Sequence, residues 1–205
     1  MIKILIAVPT FENIYPDTFK SIYNLEIPEG VTADFTFVRG YDCARARSNI
    51  VNAAKEYDYV FMVDNDTVLP KDALKILLED GENVMLGYYA HRVFSSQYDG
   101  RTNLCKLGEF NYTDQYSGDE MRELREAGTY KVQIHGGGLG CALIRMSVFD
   151  RMEVPYFDWV NYQNGYVLSE DLYFAEQCKK IGMPMYADTR VECGHMYRHI
   201  QYCKN

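Results

Sequence analysis

The sequence predicts an α/β domain built on a largely parallel central sheet, and three observations carry that expectation. Apolar runs of strand length alternate with helically spaced segments up to about residue 90. The run Tyr59-Val60-Phe61-Met62-Val63 is apolar on both faces, as a strand covered from both sides must be. It stops at Asp64-Asn65-Asp66, two carboxylates flanking an amide. That is where α/β sheets place their ligands, outside the carboxyl ends of strands.

Taken in order, Ile2–Val8 reads as a buried strand closed by Pro9, and Pro16–Leu25 as a helix with Phe19, Ile22 and Tyr23 on one face. Phe35–Arg39 is a second strand, ended by Gly40. Asp42 caps a helix running to about Tyr57. After the third strand, Pro70 opens a helix through Leu78, and Val84–Tyr88 is a fourth strand. Strand and helix alternating at these lengths imply right-handed crossovers and parallel neighbours. Residues from about 91 to 130 are polar, tyrosine-rich and aperiodic, apart from a charged helix near Asp119–Ala127. A stretch this long without regular structure is expected to shape or cover a pocket. Cys141–Arg145 reads as a strand, Ser147 starts a short helix, Ser169 caps a helix through Ile181, and Met185–Ala187 is the last strand.

A chain of 205 residues with 47% hydrophobic content fits one domain spanning 1–205. Its 21 basic and 29 acidic residues give a formal charge of −8, which disfavours a broad groove for nucleic-acid backbone. An anionic ligand would need local devices such as a metal ion or a few arginines. The six cysteines include no C-x-x-C pair, so neither a zinc pattern nor a disulfide framework is expected, and a reducing, cytoplasmic setting follows. The opening apolar run is too short for a signal peptide, and no segment reaches the length of a transmembrane helix.

Several constellations can carry chemistry. Asp64 and Asp66 are hard oxygen donors suited to Mg²⁺ or Mn²⁺, ions commonly shared with substrate phosphates. The bland alternative is an Asx turn. Arg47 shares the inward stripe of its helix with Cys43, Ile50, Val51 and Ala54. A guanidinium there must meet an anion, either a carboxylate such as Asp64 or a ligand phosphate. Arg45 falls on the polar face. Asp171 leads the stripe Phe174, Ala175, Cys178 and Ile181, which aims its carboxylate inward as a candidate general base. Alternatively, Glu170 and Asp171 simply complement the helix dipole. His195, after a strand and Gly194, is either structural or a third metal ligand beside the two aspartates. The run His135-Gly136-Gly137-Gly138-Leu139-Gly140 offers backbone that a ligand can approach closely, or else a flexible turn.

In this order the pieces resemble the GT-A fold glycosyltransferases, in particular the large inverting family 2 and its bacterial and phage relatives. The matching residues are the strand ending Ala7-Val8-Pro9-Thr10, then Ala46-Arg47-Ser48, Tyr59–Asp66 as strand and DxD motif, Gly140–Arg145, Ser169–Phe174, and Cys193-Gly194-His195. The resemblance implies a GT-A (Rossmann-like) α/β/α sandwich with a mainly parallel central sheet and a smaller mixed acceptor-side region. Residues of about 1–90 would form its nucleotide-binding half and about 91–205 its acceptor-side half. It further implies transfer of a sugar from a nucleotide-diphosphate sugar to an acceptor hydroxyl of a carbohydrate, lipid-linked or protein substrate. Pro9, Thr10, Glu12, Arg47, Asp64 and Asn65 would bind the nucleotide. Asp64, Asp66 and His195 would hold Mn²⁺ or Mg²⁺. Gly137, Gly138 and Glu170 would lie by the donor sugar and acceptor, and Asp171 would be the base. Two departures stand out: Ser48 replaces the family's asparagine, and 91–130 has no counterpart.

Three other classes compete. Asp64-Asn65-Asp66-Thr67-Val68 satisfies the nucleophile loop of haloacid-dehalogenase-type phosphatases, although it follows the third strand instead of the first. A nucleotidyltransferase would need a Gly-rich basic loop where Pro9–Asn13 stands. A non-catalytic nucleotide-sugar-binding module would bind without turnover.

Overall fold

Burial along each strand tells where it lies in the sheet, and the computed structural model describes residues 1–91, 100–108, 112, 114–163, 165–196 and 200–201. β1 (Ile2–Thr10) is buried from Ile4 onward. α1 (Pro16–Tyr23) follows, with Pro16 at its start, where a missing N–H costs nothing. β2 (Val31–Arg39) runs parallel to β1 and is alternately half-buried and exposed, because it forms a sheet edge. It begins four residues earlier than its apolar pattern suggests, since an edge strand needs little apolar content. α2 (Cys43–Ala53) is capped by the Asp42 carboxylate, which accepts from the Arg45 N–H at 2.8 Å. It stops short of the expected Tyr57. β3 (Tyr59–Val63), wholly buried, flanks β1 in parallel on its other side. β4 (Thr67–Val68) precedes α3 (Ala73–Glu79), which starts later than Pro70 because Ala73 N–H closes a turn on the Pro70 carbonyl. β5 (Val84–Tyr88) is again fully buried.

The second half contains β6 (Arg101–Cys105), β7 (Gln115–Ser117), α4 (Gly118–Glu126), β8 (Lys131–Ile134), β9 (Gly136–Gly137) and β10 (Cys141–Arg145). A 3-10 turn over Met146–Arg151 replaces the expected helix from Ser147. The hairpin β11 (Val160–Asn161) and β12 (Val167–Leu168) leads into α5 (Glu170–Lys180), β13 (Met185–Glu192), β14 (Gly194–Met196) and β15 (Ile200–Gln201). The described residues of the 91–130 segment therefore hold more regular structure than their aperiodicity suggests. β6, β7 and β9 form a small sheet, and α4 opens on a capping box between Ser117 and Glu120. Within that segment, residues 92–99, 109–111 and 113 lie outside the described residues.

The central sheet has the order β2-β1-β3-β10-β5-β13-β8. β1 pairs in parallel with β2 and β3, and β5 with β13, but β10 is antiparallel to both β3 and β5, and β8 is antiparallel to β13. The sheet is thus mixed where the sequence pattern points to a mainly parallel one. The reason is connectivity. The crossover through α3 carries the chain from β3 past the neighbouring position to β5. β10 later fills that gap, arriving from the small sheet and not through a helix. One face packs on α2, α4 and α5, with Met62, Leu86 and Ile144 against Met121 and Phe174. The other packs on α1 and α3, with Phe61, Met85 and Leu143 near Ile22 and Leu74. Period-2 alternation within each strand assigns successive side chains to the two layers.

Candidate active site

The parallel strands all end on one rim. β1 ends there at Thr10, β2 at Arg39, β3 at Val63 and β5 at Tyr88. β10 starts there, with Cys141 opposite Val63. Asp64 is therefore fixed between two strands, its N–H donating to the Gly140 carbonyl at 3.0 Å. A Cβ on Gly140 would lie 2.9 Å from Asp64 Oδ2, 2.8 Å from Thr67 Oγ1 and 2.9 Å from Tyr89 Oη. Gly138 would meet the same tyrosine oxygen at 2.4 Å, and Gly137 would crowd the Asn103 carbonyl. The glycine run is thus packed against the site's own side chains and cannot be read as a flexible turn.

Arg47 organises one side of the rim. It is 2% exposed, and its Nη2 donates to Asp64 Oδ1 at 2.8 Å while its Nε reaches Glu170 Oε1 at 3.4 Å. Burial opposes its charge, but the carboxylates of Asp64, Glu170 and Asp171 outweigh burial and hold it protonated. Its Nη1 is buried and meets no acceptor among the described residues. Glu170 is pushed up by burial, against the pull of Arg47. Burial likewise raises the Cys43 thiol to about 11, so it is no nucleophile here.

On α5 the sequence reading needs correcting. Glu170, not Asp171, leads the buried face with Phe174, Gln177 and Cys178, and Asp171 is half-buried. Both acids satisfy the same helical spacing to the apolar stripe, so periodicity alone could not separate them. Ser169 occupies the cap position without capping the backbone. Its hydroxyl donates to Asp171 Oδ1, which also accepts from Leu172 N–H at 2.8 Å. Both donors land on one oxygen, so the carboxylate is oriented and Oδ2 has no partner among the described residues.

A second pair lies beside this cluster. β14 pairs with β4, setting His195 opposite Thr67, and Met196 N–H donates to the Asp66 carbonyl at 2.8 Å. His195 Nε2 is 3.7 Å from Asp66 Oδ2. Its Nδ1 is 2.8 Å from the Ala90 carbonyl, which can only accept, so Nδ1 carries the proton and a neutral ring has its lone pair on Nε2. Metal-binding histidines are oriented in this way by their outer partners. Asp64 is turned toward Arg47, and among the described residues no three His, Cys, Asp or Glu side chains converge to hold an ion by themselves.

Tyr89 joins the two groups. Its ring lies 4.9 Å from that of His195, and its hydroxyl accepts from Gly140 N–H at 3.2 Å. Burial, then the charges of Asp64 and Asp171, hold that phenol well above its ordinary value, so it stays protonated. Asn103 positions it, accepting from Tyr89 N–H at 2.9 Å and donating to the Gly138 carbonyl at 3.0 Å. Neither residue was singled out from the sequence. Tyr89 lay in a chain of 18 tyrosines, and Asn103 in the aperiodic segment.

The remaining predicted residues divide. Thr10 is buried, and its hydroxyl donates to the Asn13 carbonyl at 2.8 Å. Asn65 donates to the same carbonyl at 2.8 Å while its own carbonyl accepts from Tyr15 N–H, so it staples the loop after β1 to the rim. Pro9 is buried within β1, and Glu12 is exposed. Arg145 stacks on Tyr59 at the opposite end of the sheet, away from the rim. Beside the rim, Phe11, Arg39, Gly40, Tyr41, Arg45 and Asn49 line an open cavity of about 360 Å³.

The architecture and rim define an α/β protein with a large mixed central sheet. No protein-family model and no curated protein matches the sequence. Many solved structures match, among them the following two. The crystal structure of A197 from STIV aligns with TM-score 0.62 at 14% identity, over 100% of this chain and 95% of that one. TarS 1–349 from S. aureus, solved in complex with UDP-GlcNAc, aligns with TM-score 0.50 at 15% identity, over 91% of this chain and 55% of that one. At such identities the likeness is one of fold.

Proposed function

We propose that this protein is a metal-dependent glycosyltransferase of the GT-A type, moving a sugar from a nucleotide-diphosphate sugar to an acceptor hydroxyl with inversion. The observation that carries this reading is the convergence of Arg47, Asp64, Tyr89 and Asp171 with the Asp66–His195 pair on one rim. The fold shared with TarS 1–349, solved in complex with UDP-GlcNAc, supports it.

Asp66 and His195, one carboxylate and one imidazole, would hold Mn²⁺ or Mg²⁺ from this chain's side. When bound, such an ion neutralises charge gathering on the departing diphosphate. Arg47 holds Asp64 in place and has a buried donor left for a phosphate oxygen. Asp171, steered by Ser169 and Leu172, takes the acceptor's hydroxyl proton through Oδ2. The acceptor oxygen forms its bond to the anomeric carbon as the bond to the diphosphate breaks, and the nucleoside diphosphate leaves with the electron pair. Tyr89 stays protonated, so its hydroxyl proton can serve a negatively charged neighbour. A dehalogenase-type phosphatase would use Asp64 as nucleophile, yet one of its oxygens is engaged by a buried guanidinium.

A thermal-shift screen of UDP, GDP, CDP and dTDP, each with and without Mn²⁺, tests this reading. At least one nucleotide should raise the melting temperature more with Mn²⁺ than without. Asp66→Ala should lose that increment. Asp171→Asn should keep it and lower sugar transfer by roughly a hundredfold or more. No nucleotide response, or full activity in Asp171→Asn, defeats the assignment.

A further inference from the structure

The outer face of α2 plays no part in the rim chemistry, yet it walls a groove of about 600 Å³. Asp42, Arg45, Ser48, Asn49, Asn52 and Lys55 line one side, and the segment Val154–Trp159 lines the other. Between residues 42 and 55 a helical rise makes this side roughly 20 Å long, so the groove suits a chain more than a single ring. Arg45 and Asn49 line both this groove and the cavity beside the rim. A molecule lying in the groove would therefore point one end at the rim.

The lining specifies the occupant. Asp42 and Asp158 balance Arg45 and Lys55, so the groove has no net formal charge and does not select a polyanion. Ser48, Asn49 and Asn52 form a row along the helix surface, with Ser48 and Asn49 already donating to the Ala44 and Arg39 carbonyls and keeping their oxygens as acceptors. Ser48 stands where the resembled family has asparagine. Arg45, Asn52 and Lys55 have no side-chain hydrogen bond or ion pair among the described residues, so their donors are available. Opposite them Trp159 is 45% exposed, leaving part of a flat apolar ring open to the groove. Hydroxyl and amide groups facing one aromatic plane match a neutral oligosaccharide, with polar rims and apolar ring faces. We infer that this groove binds the acceptor, and that the acceptor is a neutral oligosaccharide chain. This rests on the glycosyl-transfer reading for its role but not for its binding.

Trp159 is the sole tryptophan of the chain, so emission excited beyond the tyrosine absorption band reports on this groove. Neutral tetrasaccharides built from glucose, mannose or N-acetylglucosamine are titrated at millimolar concentration without nucleotide or metal. At least one should shift or quench the emission saturably. Asn52→Leu, an exposed change that spares the core, should weaken that ligand at least fivefold. The same variant should raise the acceptor KM and leave the nucleotide-induced thermal shift unchanged. No response to any saccharide, a response to heparin or to an unglycosylated peptide only, or an unaltered affinity in Asn52→Leu overturns the inference. Saccharide binding without any nucleotide response would instead keep the groove and remove the transferase reading.

Discussion

Arg47 links the two acids that the rest of the rim depends on, and its removal isolates both. A buried ion pair contributes little net stability, but leaving one partner uncompensated costs about 3–5 kcal/mol. Asp64 keeps some solvent, at 26% side-chain exposure, so Arg47→Met should cost about 3 kcal/mol, the lower end of that range. Glu170 can shed its charge by taking a proton, and burial already raises its pKa. The loss in Arg47→Met should therefore be smaller at pH 5 than at pH 8. The double variant Arg47→Met, Glu170→Gln should recover part of it. Denaturant unfolding of the two variants at both pH values checks this, and equal losses at pH 5 and 8 would show that Glu170 is not the isolated charge.

At the scale of elements, β13 carries a bulge with its own titration. Its register to β5 breaks between Ala187 and Glu192, and the fully buried Asp188 meets Arg190 and Asp80 there. Burial first, then the neighbouring Asp188, raises Asp80 from 3.8 to about 7, with Arg190 and Lys131 opposing. The sign follows directly. Below about pH 4 both folded and unfolded chains are protonated at this site. Between about 4 and 7 only the unfolded chain ionises, so stability falls as pH rises, and the loss is complete above about 7. Asp80→Asn should flatten that window, gaining more stability over wild type at pH 8 than at pH 4.5. An identical gain at both would place the titration elsewhere. Nothing in the sequence announced this bulge, because Asp188-Thr189-Arg190 reads as the polar end of a strand. The strands legible to within two residues are the ones buried on both faces, β1, β3, β5 and β10, where composition alone reports burial, whereas β2 and β13 were legible only over Phe35–Arg39 and Met185–Ala187. The rim acids were legible because they follow such strands directly. Tyr89 and Asn103 were not, since their roles arise from an antiparallel insertion that local spacing does not encode. The choice between Glu170 and Asp171 likewise needed the packing of α5 against α2.

For the molecule as a whole, the sheet separates a rigid centre from an adjustable rim. β1, β3, β10 and β5 are covered by both helix layers, and their amides should exchange only through global unfolding. β2, half-covered at the edge, should exchange at lower free energy. Among the described residues the bonds that hold the rim loops include Asn65 to Asn13, Tyr15 to Asn65, Met196 to Asp66 and His195 to Ala90. A ligand that binds the native state there stabilises these local contacts by mass action. The nucleotide selected by thermal shift, added with Mn²⁺, should therefore slow exchange at residues 11–15, 64–67 and 194–196. It should leave β8 and α4 unchanged below global unfolding. Protection confined to β8 and α4 would put the ligand on the far edge of the sheet. Those three segments follow β1, β3 and β13 but are joined by Asn65–Asn13, Tyr15–Asn65 and Met196–Asp66 bonds, so a ligand at the carboxyl ends of these strands should protect them together.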